Sequence, residues 1–337
     1  MRRLRPPAAV LAVTAALGLG ALLVAASGAD PLTAYGAIVT GALAWDTLPN
    51  TLNWAVPLVG MTLAAAVPLR GGMVNLGGDG QLVLGGLVAA LVPLALPPAP
   101  GAFIIALAML AAVFAAAAYA ALAAWGEVRH GIPMLVLSLL LSYPMIGLAS
   151  WLVGFPLRDH SSGLPQTVLI AASARLPELG AGIGGGALAM LLVAVLAVVA
   201  DRRLVAGYAL RMRGLNPRFA AYGGVRPGRQ ALAAMAISGG LAGLVGAILV
   251  LGAQFRFTDG ALLSPGFTWS GLMAALLAGG EPAGAIAAAL FFAVLQTGAF
   301  AMQRETAVPR VLAMILQAVV ILLLAARHGL DRRQAGG

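Results

Sequence analysis

The sequence contains neither cysteine nor lysine, and only 9% of its 337 residues are charged. Without cysteine the chain has no disulfide, no thiolate nucleophile and no zinc–cysteine site. Without lysine it has no Walker-type phosphate loop, because that loop needs a lysine to hold the phosphates. The three histidines are scattered, and no serine lies in a G-x-S-x-G sequence. We therefore expect no enzyme activity, no metal site and no bound cofactor.

The low charge also excludes a soluble domain. A soluble globular domain carries about 25% charged residues, whereas this chain is 61% hydrophobic with a mean hydropathy of +0.98. Too few charges remain to cover a surface that faces water. At about 20 apolar residues per crossing, the length corresponds to about ten helices. The predicted fold class is an all-α polytopic membrane protein, with a single transmembrane domain over residues 1–337 in contact with membrane lipid.

Apolar runs separated by proline, glycine and charge predict where these helices lie. The first run has the basic start of a signal peptide, but more membrane follows it, so we interpret it as an uncleaved span. The eighth is short for a full crossing, and a GGEP turn joins it to the ninth. Residues 268–300 are therefore either two spans or a re-entrant or broken pair. The ten predicted spans are 8–28, 48–69, 80–97, 101–124, 134–154, 183–200, 231–252, 268–280, 283–300 and 308–326.

Small residues four positions apart recur in these spans, at Gly239 and Gly243 and at Gly280 and Gly284. This spacing lets two helix backbones approach closely in lipid. It indicates helix packing and carries no functional signal.

The basic residues, all 20 of them arginine, predict the orientation. With ten spans and the N-terminus inside, fifteen arginines fall on the cytoplasmic side and five on the outer side, in accordance with the positive-inside rule. Both termini are then cytoplasmic, residues 201–230 form a cytoplasmic loop, and residues 155–182 form an extracytoplasmic loop. Nucleic-acid binding is not expected despite the net charge of +9, because the arginines lie between apolar runs.

Residues 71–82 read GGMVNLGGDGQL and carry the most polar group of side chains within the apolar part of the sequence. Polar and ionisable residues at membrane depth are usually functional. Glycines beside them permit a broken helix, and broken helices line the substrate cavities of transporters. We predict a substrate path formed by Asn75, Asp79 and Gln81, with Asn53 and Gln296 from other spans.

Two alternatives remain open for these polar residues. Each could simply make one hydrogen bond between helices, worth about 1 kcal/mol. Alternatively, Asp79 could pair with Arg70 at the cytoplasmic rim and fix the loop.

The cytoplasmic loop contains GLNPRFAAYGGV, a sequence typical of a short isolated helix. Asn216 is a good N-cap, and Pro217 suits the first helical position. The following RFAAY fills about one and a half turns, and Gly223 or Gly224 can end the helix in the left-handed conformation. A helix this short is unstable alone in water, so it rests on something else.

Two supports are possible for this helix. It could dock on its own helix bundle as a simple turn. It could instead insert into a partner protein, with Phe219 and Tyr222 as apolar anchors and arginines at the rim.

The same segment closely resembles the cytoplasmic coupling segment of ABC importer permeases of the branched-chain amino acid, simple sugar and nucleoside group. GGMVNLGGDGQL is similar to the FNIGGEGQ segment of the nucleoside branch, with Asp79 where Glu is usual and Val74 where Phe is usual. FPLRDHSSGLPQT resembles the outer-loop PLRD…GLPQT of that branch. LLAGGEPAGAIAAALFFAVLQTGAFAMQ, followed by VPRVLAMILQAVVILLLAAR, resembles its C-terminal block. The resemblance covers roughly residues 50–326.

This resemblance implies a permease subunit of the cell (inner) membrane that imports a small polar solute. Because the nucleoside branch is the most similar, the implied solute is a nucleoside. It implies three partners: an ABC ATPase that hydrolyses the ATP, a second homologous permease, and an extracytoplasmic substrate-binding lipoprotein. Simple sugars and branched-chain amino acids are alternative substrates, and an autonomous secondary transporter is an alternative of another class. The residues that it implies for ATPase coupling are Asn216, Pro217, Arg218, Phe219, Ala221, Tyr222 and Gly223.

Overall fold

The computed structural model describes residues 8–26, 28–97 and 99–306, together with residue 315. It is mostly helical, which confirms the helical character of the predicted class, whereas the count of ten spans and the cytoplasmic location of both termini stay predictions. The predicted span 308–326 lies outside the described residues apart from residue 315. The described residues form a short hairpin of β1 (Glu178–Gly180) and β2 (Ile183–Gly184), and twelve helices: α1 (Ala8–Ala26), α2 (Pro31–Leu43), α3 (Leu48–Arg70), α4 (Gly78–Ala95), α5 (Gly101–His130), α6 (Met134–Gly154), α7 (Gly186–Arg203), α8 (Val205–Leu215), α9 (Pro217–Tyr222), α10 (Pro227–Leu249), α11 (Phe267–Leu277) and α12 (Pro282–Thr306).

Within the described residues, six helices are long and apolar enough to cross a membrane: α3, α4, α5, α6, α10 with the π-helical turn that extends it to Gln254, and α12. The helix α7 is not among these six: it is 18 residues long, but its last three residues are charged. The 11 residues of α11 rise about 16 Å, roughly half the hydrocarbon thickness of a bilayer. The helix α11 therefore does not cross by itself, whereas α12, which follows it, is long enough to do so.

The sequence prediction missed α2. The apolar run predicted at 8–28 is the helix α1, and residues 17–26 form an angle of 119° with the separate helix α2. Asp30 starts α2, since its carboxylate accepts hydrogen bonds from the N–H groups of Leu32 and Thr33, and Pro31 occupies the first turn. With only 13 residues and two threonines, α2 is too short and too polar to stand out as a span.

The segment predicted as a cytoplasmic loop, 201–230, contains more helix than the one short helix expected there, and its cytoplasmic location stays a prediction. Most of it is helical, comprising the end of α7, the whole of α8 and α9, and the first turn of α10. Pro227 sets the start of α10, because proline at the first helical position gives up no hydrogen bond.

The chain divides into two compact units. One comprises residues 1–55 with 287–337, and in it α2 packs against the C-terminal half of α12. A side chain at Gly41 would overlap Ala301, and one at Gly298 would overlap Ile38. The Thr51 hydroxyl donates to the Ala42 carbonyl at 2.7 Å.

The other unit, residues 56–286, is built around α4, α5 and α10. Every fourth residue of α5 from 108 to 124 is a buried alanine, which makes one side of this helix smooth. The glycines of α10 lie against that side: a Cβ at Gly239 or Gly243 would meet the backbone carbonyl of Ala116 or Ala112. The helix α4 packs against α10 in the same way, through Gly85 on Gly243. Because no side chain separates these backbones, the packing confirms the interpretation of Gly239 and Gly243.

The other predicted glycine pair does not form a helix contact. Gly280 has φ of +76° and lies in the turn between α11 and α12, so it is not in a helix with Gly284. Its role is a turn conformation that L-residues rarely adopt. The helix α11 itself packs on α3, where a Cβ at Gly271 would be 2.7 Å from the Met61 carbonyl carbon.

Polar contacts group the loops of this second unit at two ends. At one end Arg70 pairs with Asp201, and Arg202 approaches Glu281 to 3.7 Å. At the other end, Gln166 forms a β-bridge with Thr258, and the Ser150 hydroxyl donates to Asp259. The segments predicted to be cytoplasmic and those predicted to be extracytoplasmic therefore collect at different ends of the unit.

Candidate functional site

The GGMVNLGGDGQL segment is a break between two helices. The helix α3 ends at Arg70, residues 71–77 are not helical, and α4 begins at Gly78. Its glycines allow close approach of other helices: a Cβ at Gly78 would be 2.6 Å from the Thr268 methyl group, and one at Gly80 would be 2.7 Å from the Ser142 Cα. The predicted broken helix is therefore present, and larger residues would not fit at these positions.

Asn75 and Gln81 form a reciprocal pair within this break. The Asn75 Nδ2 donates to Gln81 Oε1 at 2.8 Å, and the Gln81 Nε2 donates to Asn75 Oδ1 at 3.2 Å. Asn75 also donates to Ser238 on α10 at 2.8 Å and accepts from the Gly77 N–H at 2.9 Å. Both side chains are buried. Buried amides bonded in this way fix the irregular backbone, because leaving either amide unpaired costs about 1–3 kcal/mol.

Two serines of α6 hold the same break from another side. The Ser138 hydroxyl accepts a hydrogen bond from the Leu76 N–H at 3.1 Å, and Ser142 accepts one from the Gly80 N–H at 3.4 Å. These backbone donors have no helical partner at the start of α4, so the serines serve as caps from a neighbouring helix. Their spacing of four residues on α6, facing a glycine-rich break, is the sequence signal for this role.

A small cavity lies beside the pair. Its volume is about 10 Å³, and its lining includes Asn75, Gln81, Ser238, Thr268 and Trp269. This space holds about one water molecule. A nucleoside or sugar does not fit in it, so the cluster is closed in this conformation, and substrate contact requires these helices to separate.

Asp79 is the second residue of α4, in its first turn, and is partly buried beside Thr268. It has no ion-pair partner among the described residues. The alternative in which Asp79 pairs with Arg70 is wrong, because Arg70 is occupied elsewhere: it pairs with Asp201, Nε to Oδ1 at 3.1 Å and Nη2 to Oδ2 at 3.2 Å. Asp79 is the only acid among the predicted path residues, and the described residues give it no counter-ion.

The other two predicted path residues belong to the other compact unit. Asn53 lies on α3 and Gln296 lies on α12, and each interacts with a neighbouring group. Their role in a substrate path stays a prediction.

Asp201 forms a junction that sequence reasoning missed. Its buried carboxylate at the end of α7 receives Arg70 from α3 and lies 3.7 Å from Arg211 of α8. The only signal in the sequence was that Asp201 stands next to arginines, and such an acid is ordinarily interpreted as an exposed charge in a loop. The helix α8 also lies directly on the glycine break: a Cβ at Gly71 would be 2.6 Å from the Leu210 side chain, and Gly214 abuts the Arg70 carbonyl.

The helix α9 has the predicted form. The Asn216 side chain accepts from the Phe219 N–H at 3.1 Å, Pro217 is the first helical residue, and Gly224 takes the left-handed conformation with φ of +86°. The helix rests on the chain through Ala220, which is buried.

The side chains predicted for coupling point away from the described chain. Tyr222 is 91% exposed and Phe219 is 59% exposed. The remaining predicted coupling residues are exposed as well: Asn216, Pro217, Arg218, Ala221 and Gly223. Two large aromatic side chains left uncovered on a six-residue helix favour insertion into a partner over a simple docked turn.

The segment predicted at 155–182 is held against the residues that follow α10. The Thr167 and Ile170 N–H groups donate to the carbonyls of Phe257 and Phe255 at 2.9 and 2.8 Å. Farther out, the Ser161 side chain and its backbone N–H both donate to Asp159, and these hydrogen bonds lower the pKa of that carboxyl. Leu164, Val168 and Leu169 remain exposed at this end.

The chain is similar in sequence to several ABC transporter permeases. The chain is 32% identical to a glucose ABC transporter permease of Haloferax volcanii, over 97% of this chain and 89% of the relative. It is 26% identical to a nucleoside ABC transporter permease of Lactococcus lactis subsp. cremoris (93% and 89% covered). It is 27% identical to a guanosine ABC transporter permease of Bacillus subtilis (95% and 93% covered).

The family model of the permease component of branched-chain amino acid transport systems matches residues 47–325. This match covers the glycine break, the segments 155–182 and 201–230 with α9, and nearly all of the C-terminal block, which are the segments that carry the resemblance. The chain is thus a multi-pass protein of the cell membrane and belongs to the ABC permease family of the branched-chain amino acid, sugar and nucleoside group.

Proposed function

We propose that this chain is a permease subunit of an ABC importer that carries nucleosides across the cell membrane. It works with a separate ATPase, a second homologous permease and an extracytoplasmic binding lipoprotein, and it needs no cofactor of its own. The observation that carries the proposal is the exposed aromatic pair of α9, located on the same structural unit as a polar helix break. In the proposed topology both termini are cytoplasmic and about ten segments enter the membrane. The excess of arginines near α7 to α10 supports that orientation.

The coupling proposal follows the contacts between α9 and the glycine break. The cleft of the ATPase receives Phe219 and Tyr222. Because α8 and α9 are joined directly at Asn216, a movement of α9 moves α8 as well. The helix α8 in turn contacts Gly71 and the Arg70–Asp201 pair. The break holds Asn75 and Gln81, so the polar cluster opens or closes with α8. ATP acts only by stabilising one arrangement of these helices over the other.

The substrate proposal uses the chemistry of the path. A nucleoside presents hydroxyls and base-edge donors and acceptors, which amide and carboxylate side chains can bind. Two relatives are nucleoside or guanosine permeases, and this agrees with the GGMVNLGGDGQL and GLPQT resemblances. A simple sugar is the second candidate, favoured by the 32% identity to a glucose permease. Both ligands share a ring that carries hydroxyls.

Uptake of labelled solutes by cells that express the whole importer tests this proposal. We expect uptake of labelled nucleosides, blocked by excess unlabelled nucleoside and lost when the ATPase subunit is deleted. Glucose uptake that nucleosides do not inhibit would establish the sugar alternative. Transport that survives loss of the ATPase and stops when the proton gradient is dissipated would contradict the ABC mechanism as a whole.

Asp79→Asn tests whether the uncompensated carboxylate belongs to the path. A hydrogen bond to a charged group contributes about 1.5–3 kcal/mol, and 1.4 kcal/mol is tenfold. We therefore expect uptake to fall at least about tenfold, with the complex still assembled on purification. Asp46→Asn is the control, since it changes an exposed acid between α2 and α3. Uptake within about twofold of wild type in Asp79→Asn would mean that this carboxylate only positions the break.

A further inference from the structure

A large crevice lies between α7 and α10, separate from the closed polar cluster. Its volume is about 810 Å³, within the range of roughly 300–1,000 Å³ typical of ligand sites. One wall is formed by Val193, Leu196 and Ala197 of α7. The facing wall includes Ile237 and Leu241 of α10. This crevice is therefore mainly apolar along its length.

The apolar side chains that form both walls of the crevice are not fully covered by other parts of the described chain. Leu196 is 55% exposed and Ile237 is 54% exposed. From Arg229 to Leu241 the apolar wall on α10 rises about 18 Å. One leaflet of hydrocarbon is about 15 Å thick, so the crevice has the length of one lipid tail.

Charge collects at only one end of the crevice, the end of the unit that carries α9. Arg226 and Arg229 line this mouth, together with the Arg70–Asp201 pair. Asp201 already forms ion pairs with Arg70 and Arg211, so it does not neutralise Arg226 or Arg229. Among the residues that the structure describes, Arg226 and Arg229 have no ion-pair partner.

We propose that this crevice binds an anionic membrane phospholipid. Its headgroup phosphate lies between Arg226 and Arg229, and an acyl chain lies along Leu196, Ile237 and Leu241. Basic pockets between membrane helices recognise anionic headgroups through such a pairing of charge and apolar wall. Arg226 is also the N-cap of α10 and makes no side-chain cap hydrogen bond there. The bound lipid stabilises α10 against α7 and α8.

Thermal unfolding of the purified full-length chain in neutral detergent tests the proposal. We expect phosphatidylglycerol to raise the Tm by about 2–4 °C at about ten times its dissociation constant. Phosphatidylcholine and inorganic phosphate should produce little shift. An equal response to phosphatidylcholine would overturn the headgroup assignment. A full response to inorganic phosphate would overturn the lipid assignment.

Three variants localise the effect. Arg226→Gln combined with Arg229→Gln should lose the shift, whereas Arg129→Gln combined with Arg203→Gln should keep it. The control pair has the same charge change at exposed arginines outside the crevice. Ala197→Trp fills the crevice and keeps both arginines, so it should also lose the shift. A shift retained in Ala197→Trp would mean that surface arginines bind the lipid without the crevice. The Tm of each variant without lipid and its elution on gel filtration verify that it is folded.

The assembled importer distinguishes a lipid from a protein occupant. Because the chain contains no cysteine, Ile237→Cys provides a single attachment point for a photo-cross-linker in the crevice. We expect cross-links to phospholipid, detected by mass spectrometry. Cross-links to the second permease would overturn the proposal and identify the crevice as a subunit interface.

Discussion

Tyr222→Asp is expected to abolish co-purification of the ATPase with this chain. The tyrosine is 91% exposed on α9, so the change leaves the fold of the permease intact. In the proposed complex it places a carboxylate in an apolar cleft, where an unpaired charge is strongly unfavourable. Loss of a central aromatic anchor typically costs 2 kcal/mol or more, which weakens the complex by about 30-fold or more. Affinity purification of tagged permease, with the ATPase quantified on gels, measures the effect.

Two controls accompany this variant. Tyr222→Phe keeps the apolar ring and should retain the ATPase. Tyr208→Asp makes the same substitution at another exposed tyrosine, on α8, and should also retain it. ATPase recovery equal to wild type in Tyr222→Asp would contradict the partner interpretation and return α9 to a turn supported by its own chain.

Gly85→Val is expected to destabilise the chain by about 3 kcal/mol. A Cβ at Gly85 would overlap the Gly243 backbone of α10, and backbone atoms cannot move aside as the end of a side chain can. Overpacking of a core usually costs about 1–3 kcal/mol, and a clash with main chain lies at the upper end of that range. The expected result is a marked loss of folded protein and a lower Tm in detergent.

Gly147→Val provides the matched control for this prediction. Gly147 lies on α6, where a Cβ would have no atom within 4 Å. The same substitution there should leave the Tm nearly unchanged. Equal stability of the two variants would mean that α4 and α10 are farther apart than described.

The parts of the fold that follow from local sequence were predictable. The helix α9 is an example, because Asn216 and Pro217 start the helix and Gly224 ends it through interactions with residues only a few positions away. The break at residues 71–77 was predictable for the same reason, since its glycines mark it. The short helix α2 was missed because Asp30 and Pro31 signal its start, but no long apolar run follows.

Contacts between distant residues could not be predicted in this way. Arg70 and Asp201 are separated by 131 positions, and an arginine near a loop gives no sign of its partner. The mutual bonding of Asn75 and Gln81 was likewise not expected, although both residues were selected as polar. Sequence indicated that these groups matter at membrane depth, whereas only the fold distinguishes a bonded amide pair from a carboxylate without a counter-ion.

The smooth alanine side of α5 has a mechanical consequence. Where glycine and alanine bring α4, α5 and α10 into backbone contact, the helices pack closely with no large side chain between them. We expect these three helices to move together as one block during a transport cycle. Deformation is then confined to their margins: the glycine break before α4, the π-helical turn after α10, and the short helices α8 and α9. We therefore expect the hinges of this importer at those margins, and we expect the block of α4, α5 and α10 to transmit movement between them.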